Sequence, residues 1–235
     1  MFIGHYAAAF AAKRIEPRAS LGTYVLAAQF LDLLWPMFLL AGVEHVRVQR
    51  GITAVTPLDF YDYPYSHSLV TTIVWSGVVG GIYYLSRRSL RTALVVGACV
   101  TSHWLLDFVV HRPDMPIGLV GPYVGLELWS SKLGTVLVEG GMMSLALALY
   151  VGATGARDAV GKWGFIGFVG FLVAIYAAQF FVPPPPDAQA IAWTGIGQWL
   201  FVAGAYAIDR HRTSAVTVER DSRARRLASR GRAAS

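Results

Sequence analysis

Residues 90–113 read Leu-Arg-Thr-Ala-Leu-Val-Val-Gly-Ala-Cys-Val-Thr-Ser-His-Trp-Leu-Leu-Asp-Phe-Val-Val-His-Arg-Pro. The run up to residue 110 is long and apolar enough to cross a hydrocarbon core of ~30 Å, yet it carries His103 and Asp107 inside it. Four residues apart, the two stand one above the other on a single helix face. His111 continues the spacing before Pro113 ends the helix. A charged side chain at mid-membrane costs ~2.5–3.5 kcal/mol even on the lenient insertion scale, so this pair asks for compensation. Either it is a hydrogen-bonded pair that glues helices, or it binds a borderline cation such as zinc.

The rest of the chain has the same character. With 55% hydrophobic and 14% charged residues among 235, it is too apolar for an ordinary soluble domain. Windows at 21–43, 67–85, 90–110, 133–152, 163–182 and 188–208 each reach the length of a membrane span. The fold expected is an all-α, polytopic helical bundle of about six spans (20–208), preceded by a short N-terminal element (1–19) and followed by a basic, disordered tail (209–235). The single cysteine, Cys99, lies inside a span, which leaves no disulfide framework and no thiolate zinc motif. Residues 2–12 precede their basic residues Lys13 and Arg14, the reverse of a secretory signal, so residue 1 is expected in the mature chain. This segment rises only about 16 Å as helix. It is either an amphipathic surface anchor or a half-helix dipping into a cavity with His5 near mid-membrane.

Further ligand-type residues fall at matching depths. Asp32 lies about 15 Å and Glu139 about 9 Å below one end of their spans, counted at 1.5 Å per residue. Asp62 and His67 cap the same end of the second span, where Ser66 after Pro64 is a plausible N-cap. Glu139 has no cation within a helical turn, so it is either protonated or a general base of raised pKa. One stray charge is tolerable, whereas a convergent set asks for an ion. The metal ligands expected are His5, Asp32, His67, His103, Asp107 and His111, with Glu139 or Asp62 as general base. His45 and His211 read as solvated loop residues. Gly164, Gly167 and Gly170 recur every three residues as a scaffold or homodimer face.

The net charge of +6 does not point to nucleic acid. Sixteen of the twenty basic residues fall on one side of the expected topology, eight of them in the tail, and the positive-inside rule makes that side, with both termini, cytoplasmic. The tail itself reads as disordered or lying on anionic lipid.

The order Gly4-His5, Asp32, Ser66-His67-Ser68 and Ser102-His103-x-x-x-Asp107 resembles the YdjM-type, LexA-binding, inner-membrane-associated metal-dependent hydrolases of bacteria, over about residues 1–112. That family's Pro-Asp-x-Asp is here Gln29-Phe30-Leu31-Asp32, and its His-Arg-Gly-x-Thr-His-Ser is Asp62-Tyr63-Pro64-Tyr65-Ser66-His67-Ser68. Asp62 thus replaces a histidine with a harder, anionic ligand, and the His-Arg pair is lost. A fainter likeness links the His-x-x-x-Asp to zinc-dependent phospholipase C enzymes. The resemblance implies a multi-pass protein of the bacterial plasma membrane that hydrolyses phosphoester or lipid-like substrates with a divalent metal, zinc first and manganese second. A proton- or cation-coupled transporter would use the same residue types, but no internal repeat is visible. A non-catalytic scaffold whose polar cluster fixes helix register is the third reading.

Overall fold

The computed structural model describes residues 1–214. The fold is an all-α bundle. Its elements run α1 (Ile3–Ile15), α2 (Leu21–Ala28), α3 (Phe30–Leu40), β1 (His45–Val48), β2 (Leu58–Asp62), α4 (Pro64–His67), α5 (Leu69–Arg87) and α6 (Leu90–Val110). They continue with β3 (Met115–Pro116), β4 (Tyr123–Val124), α7 (Lys132–Ala153), β5 (Thr154–Ala156), α8 (Phe165–Ala178), α9 (Ala188–Ile196), α10 (Trp199–Arg210) and β6 (Arg212–Ser214). Among the described residues, five helical stretches are long and apolar enough to cross a membrane, or six if α2 and α3 are one bent span. Their apolar surface faces outward: only 17% of the α5 window and 28% of the α7 window is buried within the protein. That surface needs lipid rather than water beside it, so this is a membrane protein.

The first expected span, 21–43, is broken. Gln29 takes a non-helical conformation (φ −98°, ψ 5°) and α2 and α3 diverge by 53°. The break ends α2 with the Ala28 carbonyl free for another donor and places Asp32 in the first turn of α3, where the helix dipole favours a carboxylate. α1 is not a surface anchor. It is buried along nearly its whole length and packs chiefly against α7, α2 and α6, with the alanines of 7–12 allowing close approach.

The second span starts later than its sequence suggests. Ser68, not Ser66, caps α5 by accepting from the Thr71 N–H at 3.1 Å. His67 ends the separate short helix α4. Around it, the antiparallel hairpin β1–β2 and the small β3–β4 ladder cover one end of the bundle.

At the opposite end, Lys13 Nζ donates to the Ala19 carbonyl (2.8 Å) and to Asp209 (3.2 Å). The Arg212 guanidinium bonds Thr154 and the Gly161 carbonyl and lies over the Tyr150 and Phe165 rings. β6 pairs with β5. Residues 209–214, expected in the tail, therefore belong to the bundle, while 215–235 lie outside the described residues.

Close helix approach is found elsewhere than the 164–170 stripe, since a Cβ on Gly167 or Gly170 would meet nothing within 4 Å. At the α5–α6 contact, a Cβ on Gly97 would lie 3.0 Å from Ser76 Oγ and 3.2 Å from the Ser76 carbonyl, and Ser76 Oγ donates to the Gly97 carbonyl at 2.7 Å. Gly97→Val is expected to destabilise the bundle by about 1–3 kcal/mol through overpacking. Gly167→Ala is expected to be neutral or to stabilise by up to ~1 kcal/mol, both read from thermal unfolding in detergent.

Candidate metal centre

α6 supplies His103 and Asp107 from one face, as their spacing requires, and both are buried. His103 Nδ1 lies 2.7 Å from the Ala28 carbonyl at the α2–α3 break. A carbonyl only accepts, so Nδ1 carries a proton, and in the neutral ring Nε2 presents its lone pair inward. There it stands 3.1 Å from Asp107 Oδ2 and 3.7 Å from Asp32 Oδ1.

His67 is set in the same way by a longer relay. The buried Glu44 carboxylate accepts the Tyr65 and Ser66 N–H groups, both at 2.7 Å, and the Ser66 hydroxyl at 2.6 Å. Having donated its one proton, Ser66 Oγ accepts from His67 Nδ1 at 2.7 Å. In the neutral ring His67 Nε2 then also offers a lone pair, 3.5 Å from Asp32 Oδ1 and 3.9 Å from Asp107 Oδ2. Burial pushes the Glu44 carboxyl above its ordinary pKa, and the three donors oppose that shift.

Lone pairs facing carboxylates repel one another unless a proton or a metal cation lies between them, and a metal cation serves several such contacts at once. A tetrahedral zinc with ligands at about 2.0–2.2 Å holds its donor atoms about 3.3–3.6 Å apart. The separations of Asp32 Oδ1 from His67 Nε2 (3.5 Å) and from His103 Nε2 (3.7 Å) lie close to that value, and these three residues form one group whose ligand atoms all lie within 4.8 Å of one another. The donor chemistry, two imidazoles and a carboxylate, suits the same ion. A second group of the same kind, His5 with His103 and Asp107, shares His103 with the first. His5 stacks on His103 (centroids 3.6 Å apart, planes 5° from parallel), and its Nε2 is 3.1 Å from Asp107 Oδ1. The Met1 ammonium also pairs with Asp107 Oδ1.

The structure thus brings together His5, Asp32, His67, His103 and Asp107. The other expected residues stand elsewhere. Glu139 is not on the cavity; its Oε2 accepts the Phe2 N–H (2.9 Å) and the Gly4 N–H (3.2 Å), satisfying donors at the start of α1 that no side chain of α1 caps. It thereby holds the start of the helix that carries His5. Asp62 faces outward on β2, where the register pairs it with His45 and its Oδ2 lies 2.6 Å from His45 Nδ1. That exposed pair takes both residues out of the centre. His211 likewise pairs with Asp158 at 2.7 Å. His111 misses the ligand cluster, with Nδ1 2.9 Å from Asp114, but it lines the adjoining cavity. Burial holds it below its ordinary pKa, against the pull of Asp114.

That cavity, about 180 Å³, is walled by Asp32, His67, Asp107 and His111 and by the aromatic rings of Trp35, Phe60, Tyr63 and Trp129. Glu44, Ser66 as a relay and the aromatic wall are the components that sequence reasoning missed. The one available signal was a lone glutamate at the end of one apolar window, 22 residues before Ser66. No family model, curated protein or solved structure matches the chain, so the reading of this centre rests on its own geometry.

Glu44→Gln and Ser66→Ala each release the His67 tautomer, and each is expected to weaken zinc binding about 10–100-fold, as loss of an orienting partner does. Asp62→Asn is expected to leave the affinity unchanged. Calorimetric zinc titration of the purified variants checks all three.

Proposed function

We propose that this chain is a metal-dependent hydrolase embedded in the bacterial inner membrane, with both termini cytoplasmic and its centre opening outward. The substrate class is a phosphoester or lipid-like ester. The observation that carries the reading is the pair of imidazoles, His67 and His103, locked by Ser66 and the Ala28 carbonyl so that in the neutral rings the Nε2 lone pairs face Asp32 and Asp107. Zinc suits this mixed nitrogen and oxygen donor set, and manganese is the next candidate. The shared sequence order with the YdjM-type hydrolases supports the same reading.

A bound divalent cation supplies a water of lowered pKa and polarises an ester or phosphoester oxygen. The chain's own residues do the rest. Asp107 and His103 are held rigidly on α6. The Asp32 side chain, 24% exposed against 3% for Asp107, is the more open of the two carboxylates on the cavity wall. His111, kept neutral by burial and oriented by Asp114, stands on the cavity wall. These two take over the proton-accepting role that sequence reasoning gave to Glu139 and Asp62. The aromatic wall excludes bulk water, which strengthens every charge interaction inside.

Elemental mass spectrometry of detergent-purified protein, prepared without chelator, is expected to find about one or two equivalents of zinc or manganese per chain. His103→Ala and Asp107→Ala, matched for folding, are expected to lose that metal and all turnover of a soluble phosphodiester. Wild-type protein free of metal would sink the hydrolase reading in favour of a proton-coupled permease or a scaffold.

A further inference from the structure

The cavity beside the centre does not end at its aromatic wall. A second, larger hollow of about 690 Å³ adjoins it and shares three of its residues, Thr56, Leu58 and Gln179. Its remaining walls are Ile175 and Ala178 of α8, Ala190 and Thr194 of α9, Val55 and Pro57 of the hairpin, and Val182 with the stiff proline run 183–186. The lining is mostly apolar, and its size falls within the ordinary range of small-ligand sites. Val182 in its wall is 62% exposed, and the residues next in sequence to the wall, Phe181 and Trp193, are 85% and 61% exposed.

These facts define a site with two chemistries in line. The inner compartment holds the His/Asp cluster and the Gln198 Oε1, a buried oxygen without a hydrogen-bond partner. The outer compartment is apolar and is built where two spans, α8 and α9, meet their connecting turn. Thr56 and Gln179 put polar groups at the junction between them. A small water-soluble ester would leave the outer compartment empty. A hydrocarbon chain fills it by the same partition that holds it in the bilayer.

We infer that the groove between α8, α9 and the β1–β2 hairpin binds the hydrocarbon chain of a membrane phospholipid, with its phosphoester head directed past Gln179 and Thr56 to the His/Asp centre. This rests on the hydrolase reading for the fate of the head group, and on the groove alone for binding of the chain. Entry from the bilayer follows from the apolar rim, and the proline run keeps the α8–α9 wall from collapsing into the space.

The test uses full-length protein in detergent, titrated with dioleoylphosphatidylglycerol and followed by native mass spectrometry. Ala178→Trp on α8 and Thr194→Trp on α9 serve as groove-filling variants, each compared with wild type at matched elution volume and helical content. One lipid is expected to stay bound to wild type after the loosely held ones are stripped. Its dissociation constant is expected to rise about tenfold or more in either variant. Dihexanoylphosphatidylglycerol, with the same head and short chains, is expected to bind weakly and alike to all three proteins. Equal retention of the long-chain lipid by wild type and a folded variant overturns the inference, because the lipid then only surrounds the spans. The hydrolase reading fails by a different sign: wild type that retains the lipid in the groove, loses it in the variants, and yet holds no metal and cleaves no phosphodiester.

Discussion

Two hydrogen bonds on the outer nitrogens of His67 and His103 decide what their inner nitrogens can do. Either ring, left free, could turn or change tautomer and donate to a carboxylate, making a self-contained polar pair that needs nothing else. With Nδ1 committed to Ser66 Oγ and to the Ala28 carbonyl, each ring in its neutral form has only one tautomer, the one that points a lone pair at Asp32 and Asp107. Much of the architecture serves these two bonds. The α2–α3 break exists where the Ala28 carbonyl is needed, and the turn carrying Glu44 returns to the head of α4 to hold Ser66.

The position of α1 follows from the same constraint. A half-helix with buried backbone donors at its start is costly at membrane depth, and the Glu139 carboxylate removes that cost by accepting from Phe2 and Gly4. His5 is then delivered against the face of His103. A carboxylate that looked like chemistry in its own right is spent on holding another element still.

How much of this was legible depended on the range of the interaction. The His103–Asp107 face follows from helical spacing alone, and the apolar windows follow from length, so the bundle and the core of the centre were readable. Asp32 and His5 were readable from depth. The rest was not, because it depends on pairings distant in sequence. Asp62 looked like a ligand five residues before His67, but a hairpin register sends it to His45. Ser66 looked like a cap because it follows Pro64, but Ser68, three residues before Thr71, is the one that caps α5. Nothing local in Gln29 announces a 53° turn. The order of the tail's first residues, Arg212 to Ser214, depended on β5, some sixty residues earlier in the chain.

The closure of the opposite end has its own consequence. Lys13 with Asp209, Glu16 with Arg18 and Arg91, and Arg212 wedged between Tyr150 and Phe165 stitch α1, α6, α7, α8 and α10 together there. The cavity beside the His/Asp cluster lies at the other end, under the β1–β2 hairpin. The two ends of the bundle are therefore not equivalent: one is fastened by charge, and the other keeps its charges facing a hollow.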